Sequence, residues 1–294
     1  MGNCKNSRRC RITPEGGSVG QHLSKARSFI GDLPGIRHWR HERFRNRFEN
    51  GQAVGTCRGV FDSYEAAAAA APASRPLGYD HDDAAGMYHD RIGQIYPSDY
   101  PMMFWLQRAL DLGARRVFDL GGHIGLSYYS YATRMALPED LSWQVCDVPA
   151  VVDSGRREAA ARDSSGRLRF TADFAEAAQA DVLFTAGCLQ YLQETLAQRV
   201  ASLPRQPEWL LVNLLPLHPA RGYWTVQSIG TAYCPYRIQH DDGFFQDILR
   251  LGYRRLDRWE NLEKSCWVAF DDLHSLDRYH GAAFRLDPAS IDGH

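Results

Sequence analysis

Seven residues near the middle of the chain, Asp119-Leu120-Gly121-Gly122-His123-Ile124-Gly125, place a carboxylate and three glycines directly after a short apolar run. Glycines at a strand-to-helix turn let a ligand approach the backbone, and the helix that follows offers unpaired N–H groups. That combination suits a nucleotide-like ligand. It does not suit NAD or FAD, because the dinucleotide fingerprint needs glycines where His123 and Leu126 stand. Two more histidines, His218 and His240, lie near the two ends of the stretch Asn213 to Asp241, which also carries Tyr223, Trp224, Tyr233 and Tyr236. A connection of that length inside a compact domain is usually functional or mobile, and its aromatic residues suit a lid over a flat or sugar-like ligand. Cysteines stand at positions 4, 10, 57, 146, 188, 234 and 266 without a CxxC pair. Neither a disulfide scaffold nor a structural zinc site is expected, no metal is assigned, and a reducing cytosol is the expected compartment.

The glycine turn needs a scaffold, and the pattern from Arg115 onward supplies one. RRVFDLGG reads as a strand ending in glycines, followed by the helix IGLSYYSYATRM. LSWQVCDVP, LRFTADF, ADVLFTAG and EWLLVNLLPL read as the next strands, with helices through VVDSGRREAAARD and CLQYLQETLAQRVASL. After the long connection come the helix DDGFFQDILRLG and the strands YRRLDRWE and KSCWVAF. Alternation of this kind predicts an α/β fold: a three-layer, Rossmann-like, seven-stranded and mostly parallel sheet with an antiparallel edge strand, binding ligands outside the carboxyl ends of its strands. Upstream, FDSYEAAAAAA reads as a helix opened at Asp62 or Ser63, and WLQRALDLG as a helix stopped at Gly113. The expected division is a disordered or flexible N-terminus over 1–30, a helical N-terminal extension over 31–112, a catalytic domain over 113–275 and a tail over 276–294.

Composition narrows the function classes. The chain has 294 residues, 44% hydrophobic and 23% charged, which buries a core and excludes a wholly disordered, collagenous or coiled-coil protein. Its 34 basic and 35 acidic residues give a net charge of -1, so no global field draws it to nucleic acid. The first fifty residues depart from that balance, with eleven Lys or Arg against four Asp or Glu. Ile36, Trp39, Phe44 and Phe48 there alternate with arginines, a basic amphipathic helix that either makes a weak membrane-surface or polyanion contact or packs on its own domain. No apolar run reaches the length needed to span a bilayer, and Arg8-Arg9 lacks the apolar stretch of an export signal.

The turn at Asp119 resembles motif I of the class I S-adenosylmethionine-dependent methyltransferases, acid-x-Gly-x-Gly-x-Gly. Asp119, Gly121 and Gly125 match, and His123 replaces the middle glycine. The chain is also similar, over roughly 58–270, to a bacterial methyltransferase family associated with surface-polysaccharide loci. GVFDSYEAA, GYD, SDYPMMFWL, DLGGHIG, W-x-V-x-D-x-P from Trp143 to Pro149, AGCLQYL at 186–192 and GY-x-x-x-x-x-W from Gly252 to Trp259 carry that similarity.

The resemblance implies S-adenosyl-L-methionine as cofactor. Asp119, Gly121, Gly122 and Gly125 would face its methionine portion, Asp147 with Val148 its ribose, Asp173 with Phe174 its adenine, and Gly187 the floor beside them. Tyr88, Tyr96, Tyr128 and Tyr191 are candidates for an aromatic wall near the sulfonium cation. His123, Gln190, Tyr191 and His218 are the candidate catalytic residues on the acceptor side. Thr185-Ala186-Gly187-Cys188 lacks the Pro-Pro and Pro-Cys signatures of nucleic-acid methylation, and Cys188 reads as a small buried hydrophobe. The expected activity is O-methylation of a saccharide or other small metabolite in the cytoplasm. The rival reading is a degenerate cofactor-binding or scaffold domain in a surface-polymer assembly.

Overall fold

A computed structural model describes residues 34–78, 80 and 91–287. The expected disorder over 1–30 and the candidate Tyr88 lie outside the described residues. The chain divides into one unit ending at Asn50 and a second beginning at Gly51. In the first, α1 (Pro34–Glu49) is the helix expected there, with Phe44 and Phe48 packed ring to ring at 5.7 Å and Arg43 over Trp39 at 5.3 Å. The extension read as helical over 31–112 in fact crosses the boundary between the units and includes a strand, β1 (Cys57–Phe61).

The second unit continues through α2 (Tyr64–Ala70), α3 (Asp99–Asp111), β2 (Arg116–Leu120), α4 (Leu126–Ala132), β3 (Ser142–Cys146), α5 (Pro149–Arg162), β4 (Leu168–Thr171), β5 (Val182–Ala186), α6 (Leu196–Ala201) and β6 (Trp209–Leu215). It ends with β7 (Leu217–His218), β8 (Tyr223–Ser228), β9 (Tyr233–His240), α7 (Asp241–Arg250), β10 (Tyr253–Asn261) and β11 (Tyr279–Leu286). Ser63 caps α2, its side chain accepting from Ala66 N.

Seven strands form one sheet in the order β10-β11-β6-β5-β2-β3-β4. β6, β5, β2, β3 and β4 are parallel, and β11 runs antiparallel to both β6 and β10, making the edge pair antiparallel as expected. Both faces are covered, so successive strand residues alternate between two apolar layers. Val117 and Phe184 face Met102, Leu106, Tyr131 and Trp143, whereas Phe118 and Leu183 face Leu196, Val200, Phe244 and Ile248. Asn213 ties the start of α3 to β10. Its amide donates to Ser98 O at 2.8 Å, and its carbonyl accepts from Trp259 Nε1 at 3.0 Å and Asn261 Nδ2 at 2.8 Å.

Three expectations are corrected. The helix read through residues 188–203 is two pieces, a short 3₁₀ turn Leu189–Tyr191 and then α6, because Thr195 and Gln198 form a capping box that starts a new helix. The long connection at 213–241 is not a lid-like loop. Residues Tyr223–Ser228 and Tyr233–His240 form a hairpin that joins β1 and β7 in a second sheet, order β1-β8-β9-β7, and Tyr223, Trp224, Tyr233 and Tyr236 are buried in it. Pro235 sits within β9, the feature that argues against a strand in the sequence. Finally, KSCWVAF is not the seventh strand. Cys266 makes an isolated bridge to Leu276 and Val268 one to Cys57, while the seventh strand is Tyr279–Leu286, within the segment read as a tail. Gly281 is required there, since a Cβ would lie 2.2 Å from the Trp259 ring.

Candidate functional site

Strand order reverses between β2 and β5, so the segments leaving these two strands flank the crevice where open α/β sheets take their ligands. Asp119 and the glycine turn leave β2; Gly187, Cys188, Gln190 and Tyr191 leave β5. The two meet directly. Gly121 has φ +74°, its N–H donates to Cys146 O at 2.7 Å, and a Cβ on it would fall 2.3 Å from Cys188 Cβ. Burial pushes the Cys188 thiol well up, so it packs as a neutral side chain. Gly125, at φ +92°, lets the chain turn into α4. His123 is buried and also adopts a left-handed backbone, φ +56°, which costs a non-glycine residue about 1 kcal/mol.

The acids have separate positions. Asp119 is 1% exposed, accepts from Trp143 Nε1 at 3.1 Å and backs onto Gly122, where a Cβ would lie 2.4 Å from its carboxylate. Asp147, one residue past β3, accepts from the His123 N–H at 3.0 Å and from the Val148 N–H at 2.8 Å. Each of its oxygens keeps lone-pair capacity for a further donor. The β3 carboxylate therefore pins the glycine turn that leaves β2. Asp173 is exposed and caps the 3₁₀ turn Phe174–Gln179 by accepting from Ala175 N at 2.9 Å. Phe174 packs edge-on to Phe118 at 5.8 Å, with Arg199 over its ring at 5.1 Å.

Burial pushes the Asp119 carboxyl up to about 7, with the Trp143 hydrogen bond opposing and the Asp147 charge adding. Burial also raises Asp147, against the Val148 and His123 N–H groups. The folded state thus holds protons that the unfolded chain releases above the usual carboxylate range. The stability that the Asp119 carboxyl contributes is present at low pH and is lost as pH rises toward about 7, at roughly 1 kcal/mol per pH unit, and Asp147 acts in the same direction. We expect urea denaturation at a series of pH values to give that fall, and Asp119→Asn to flatten it. Equal stability at about pH 5 and 7 in the unmodified chain would contradict the assignment.

The remaining expected site residues divide. Gln190 is buried beside the crevice, its Nε2 donating to Gly187 O at 2.7 Å, and among the described residues its Oε1 has no partner. Tyr191 turns toward the second sheet, its hydroxyl donating to Gln227 at 2.8 Å and its ring edge-on to Tyr236. His218 lies on the second sheet with both ring nitrogens engaged. Nδ1 accepts from Ala220 N at 3.1 Å and Arg221 N at 3.3 Å, and Nε2 lies 3.0 Å from Leu273 O, which accepts from it. With both ring nitrogens taken by backbone partners, His218 is held away from a role at the crevice, against the expected catalytic one. His240 caps α7 by accepting from Gly243 N. Tyr128 is buried against Trp143 with its hydroxyl on Asp163 and Ser165, so it forms no wall at the crevice, and Tyr96 is exposed and bonded to Gln94.

Trp143 and Cys188, the supports beneath Asp119 and Gly121, were not recognised from sequence as parts of the site. The W-x-V-x-D spacing was the available signal for Trp143, since alternate strand residues share a face. A separate groove of about 210 Å³, lined by Trp224, Arg237, Thr195 and Phe244 among others, lies along the second sheet, and no residue of the glycine turn lines it. Among the described residues, no group of three His, Cys, Asp or Glu could hold a metal ion, and no helix is long and apolar enough to cross a membrane.

No family model matches the chain, and no curated protein does. Several solved structures resemble it. The CcbJ methyltransferase from Streptomyces caelestis is 17% identical with a TM-score of 0.43, over 71% of this chain and 97% of that one. An O-methyltransferase family protein from Burkholderia thailandensis is 18% identical with a TM-score of 0.45, over 71% of this chain and 61% of that one. The glycopeptide N-methyltransferase MtfA, complexed with S-adenosyl-L-homocysteine, is 11% identical with a TM-score of 0.47, over 71% of this chain and 99% of that one.

Proposed function

We propose that the chain binds S-adenosyl-L-methionine at the turn Asp119 to Gly125 and catalyses methyl transfer to an oxygen of a saccharide or other small metabolite. One observation carries this reading: the Asp147 carboxylate, at the end of β3, is hydrogen-bonded into the glycine turn that leaves β2 while keeping acceptor capacity of its own. A fixed carboxylate with free lone pairs suits a ribose diol, and an open glycine backbone suits the amino-acid end. Asp119 then acts as a buried support for Gly122, and Phe174 with Asp173 is the proposed adenine side. Bound donor supplies an electrophilic methyl group on a sulfonium; this chain's residues orient the acceptor and exclude water.

On the acceptor side we place Gln190, whose Oε1 faces no protein donor among the described residues, and the Tyr191 hydroxyl, already oriented by Gln227. His123 is the proposed proton acceptor for a hydroxyl nucleophile, because it belongs to the turn that holds the donor. The same residue favours the second reading, a domain that binds the cofactor without turnover in a surface-polymer assembly, since a side chain stands where motif I has glycine. Calorimetry with S-adenosylmethionine tests binding, and a screen of glycan and small-molecule acceptors scored by release of S-adenosylhomocysteine separates catalyst from binder. Failure to bind the donor, or selective binding of NADH, would overturn the proposal.

A further inference from the structure

Two of the cysteines are distant in sequence and adjacent in space. Cys57 opens β1, Cys266 lies 209 positions later between β10 and β11, and their sulfurs are 3.5 Å apart. The backbone sets that approach. Cys57 N–H donates to Trp267 O at 3.0 Å, Ala269 N–H donates to Cys57 O at 2.9 Å, and Cys266 exchanges both its backbone bonds with Leu276. Neither segment relies on the sulfurs for its position, so the pair can change covalent state without rebuilding the chain around it. A disulfide needs its sulfurs about 2 Å apart, so the two side chains must close the remaining gap.

The surroundings make the two thiols unequal. Hydrogen bonding from Cys57 and then Tyr279 holds the Cys266 thiol below the usual cysteine range against burial, while donation to Cys266 and burial push the Cys57 thiol up. Cys266 is buried, yet Lys264, Ser265 and Trp267 on either side of it are exposed, so it lies directly beneath a surface segment. The thiolate is the nucleophile in thiol oxidation, and a neighbouring thiol resolves the product.

We propose that Cys57 and Cys266 form a hydroperoxide-driven disulfide site. The Cys266 thiolate attacks the peroxide, breaking the O–O bond to give a sulfenic acid and hydroxide, which takes up the thiol proton as water. The Cys57 thiol then attacks the sulfenic sulfur, forming the S–S bond and releasing a second water. Two thiols are oxidised by two electrons and one peroxide is reduced. The Tyr279 hydroxyl bonds that of Tyr236 at 2.7 Å and the Tyr236 ring packs on Tyr191, so the packing around the cysteine pair continues to the segment that leaves β5. The proposal stands on the cysteine pair and is independent of methyl transfer.

The test uses the full chain, reduced, freed of reductant and treated with hydrogen peroxide, then denatured, alkylated and digested without reduction for peptide mass spectrometry. The expected result is loss of alkylation at both Cys57 and Cys266 and a peptide pair joined through them, lighter by two hydrogens and released by dithiothreitol. In Cys57→Ser, dimedone should label Cys266 and no cross-link should form; in Cys266→Ser, Cys57 should remain an alkylatable thiol. Full alkylation of both residues in the peroxide-treated native chain, over-oxidation of Cys266 without a cross-link, or cross-links joining other cysteines instead would overturn it.

Discussion

Gly121→Ala is expected to abolish donor binding and to remove roughly 3 kcal/mol of folding stability. Two costs combine at this position. The backbone is left-handed at φ +74°, which penalises any residue with a Cβ, and the added carbon would lie 2.3 Å from Cys188 Cβ and 2.5 Å from its sulfur. Relief requires the turn to move off β5, and that breaks the 2.7 Å bond from Gly121 N–H to Cys146 O. Calorimetric titration with S-adenosylmethionine measures the first effect and the urea midpoint the second. Adding Cys188→Gly should recover part of both, because it removes the obstructing atoms and leaves only the conformational cost. Native affinity and an unshifted midpoint in the single variant would mean that this turn is not the cradle.

Asp147→Ala should weaken donor binding by about 1 to 3 kcal/mol, roughly 5- to 150-fold in Kd. The substitution leaves the His123 and Val148 N–H groups without their acceptor and removes the carboxylate proposed for the ribose. Asp147→Asn, which keeps one carbonyl oxygen, should fall between the two. A Kd equal to that of the native chain would remove the ribose assignment, whereas a weakened Kd with an unchanged urea midpoint would place the loss in the ligand contact.

The parallel half of the large sheet was legible because buried parallel strands are continuous apolar runs bounded by turn residues, as in RVFDL, VLFTA and WLLVNLL. The glycine turn was legible for a related reason, since its chemistry is local and its residues are consecutive. Non-local packing hid the rest. YHGAAFRL is weak as a strand by composition, yet its small residues suit an interior position beneath Trp259. KSCWVAF has a strand-like alternation that is spent on packing against β1 and its neighbours, without a ladder partner. The hairpin at 223–240 was masked by Pro235 and by a partner, β1, more than 160 residues upstream. At the site, the proximity of Cys188 to Gly121 is a tertiary fact that neither segment encodes alone.

The placement of β11 between β6 and β10 bears on how the protein is made. As the chain leaves the ribosome, β10 emerges before the strand that will separate it from β6, so its edge has no correct neighbour until Leu286 is free. Until then the edge of β6 that β11 will occupy stays open, and β10–β6 pairing is the arrangement that competes with the native one.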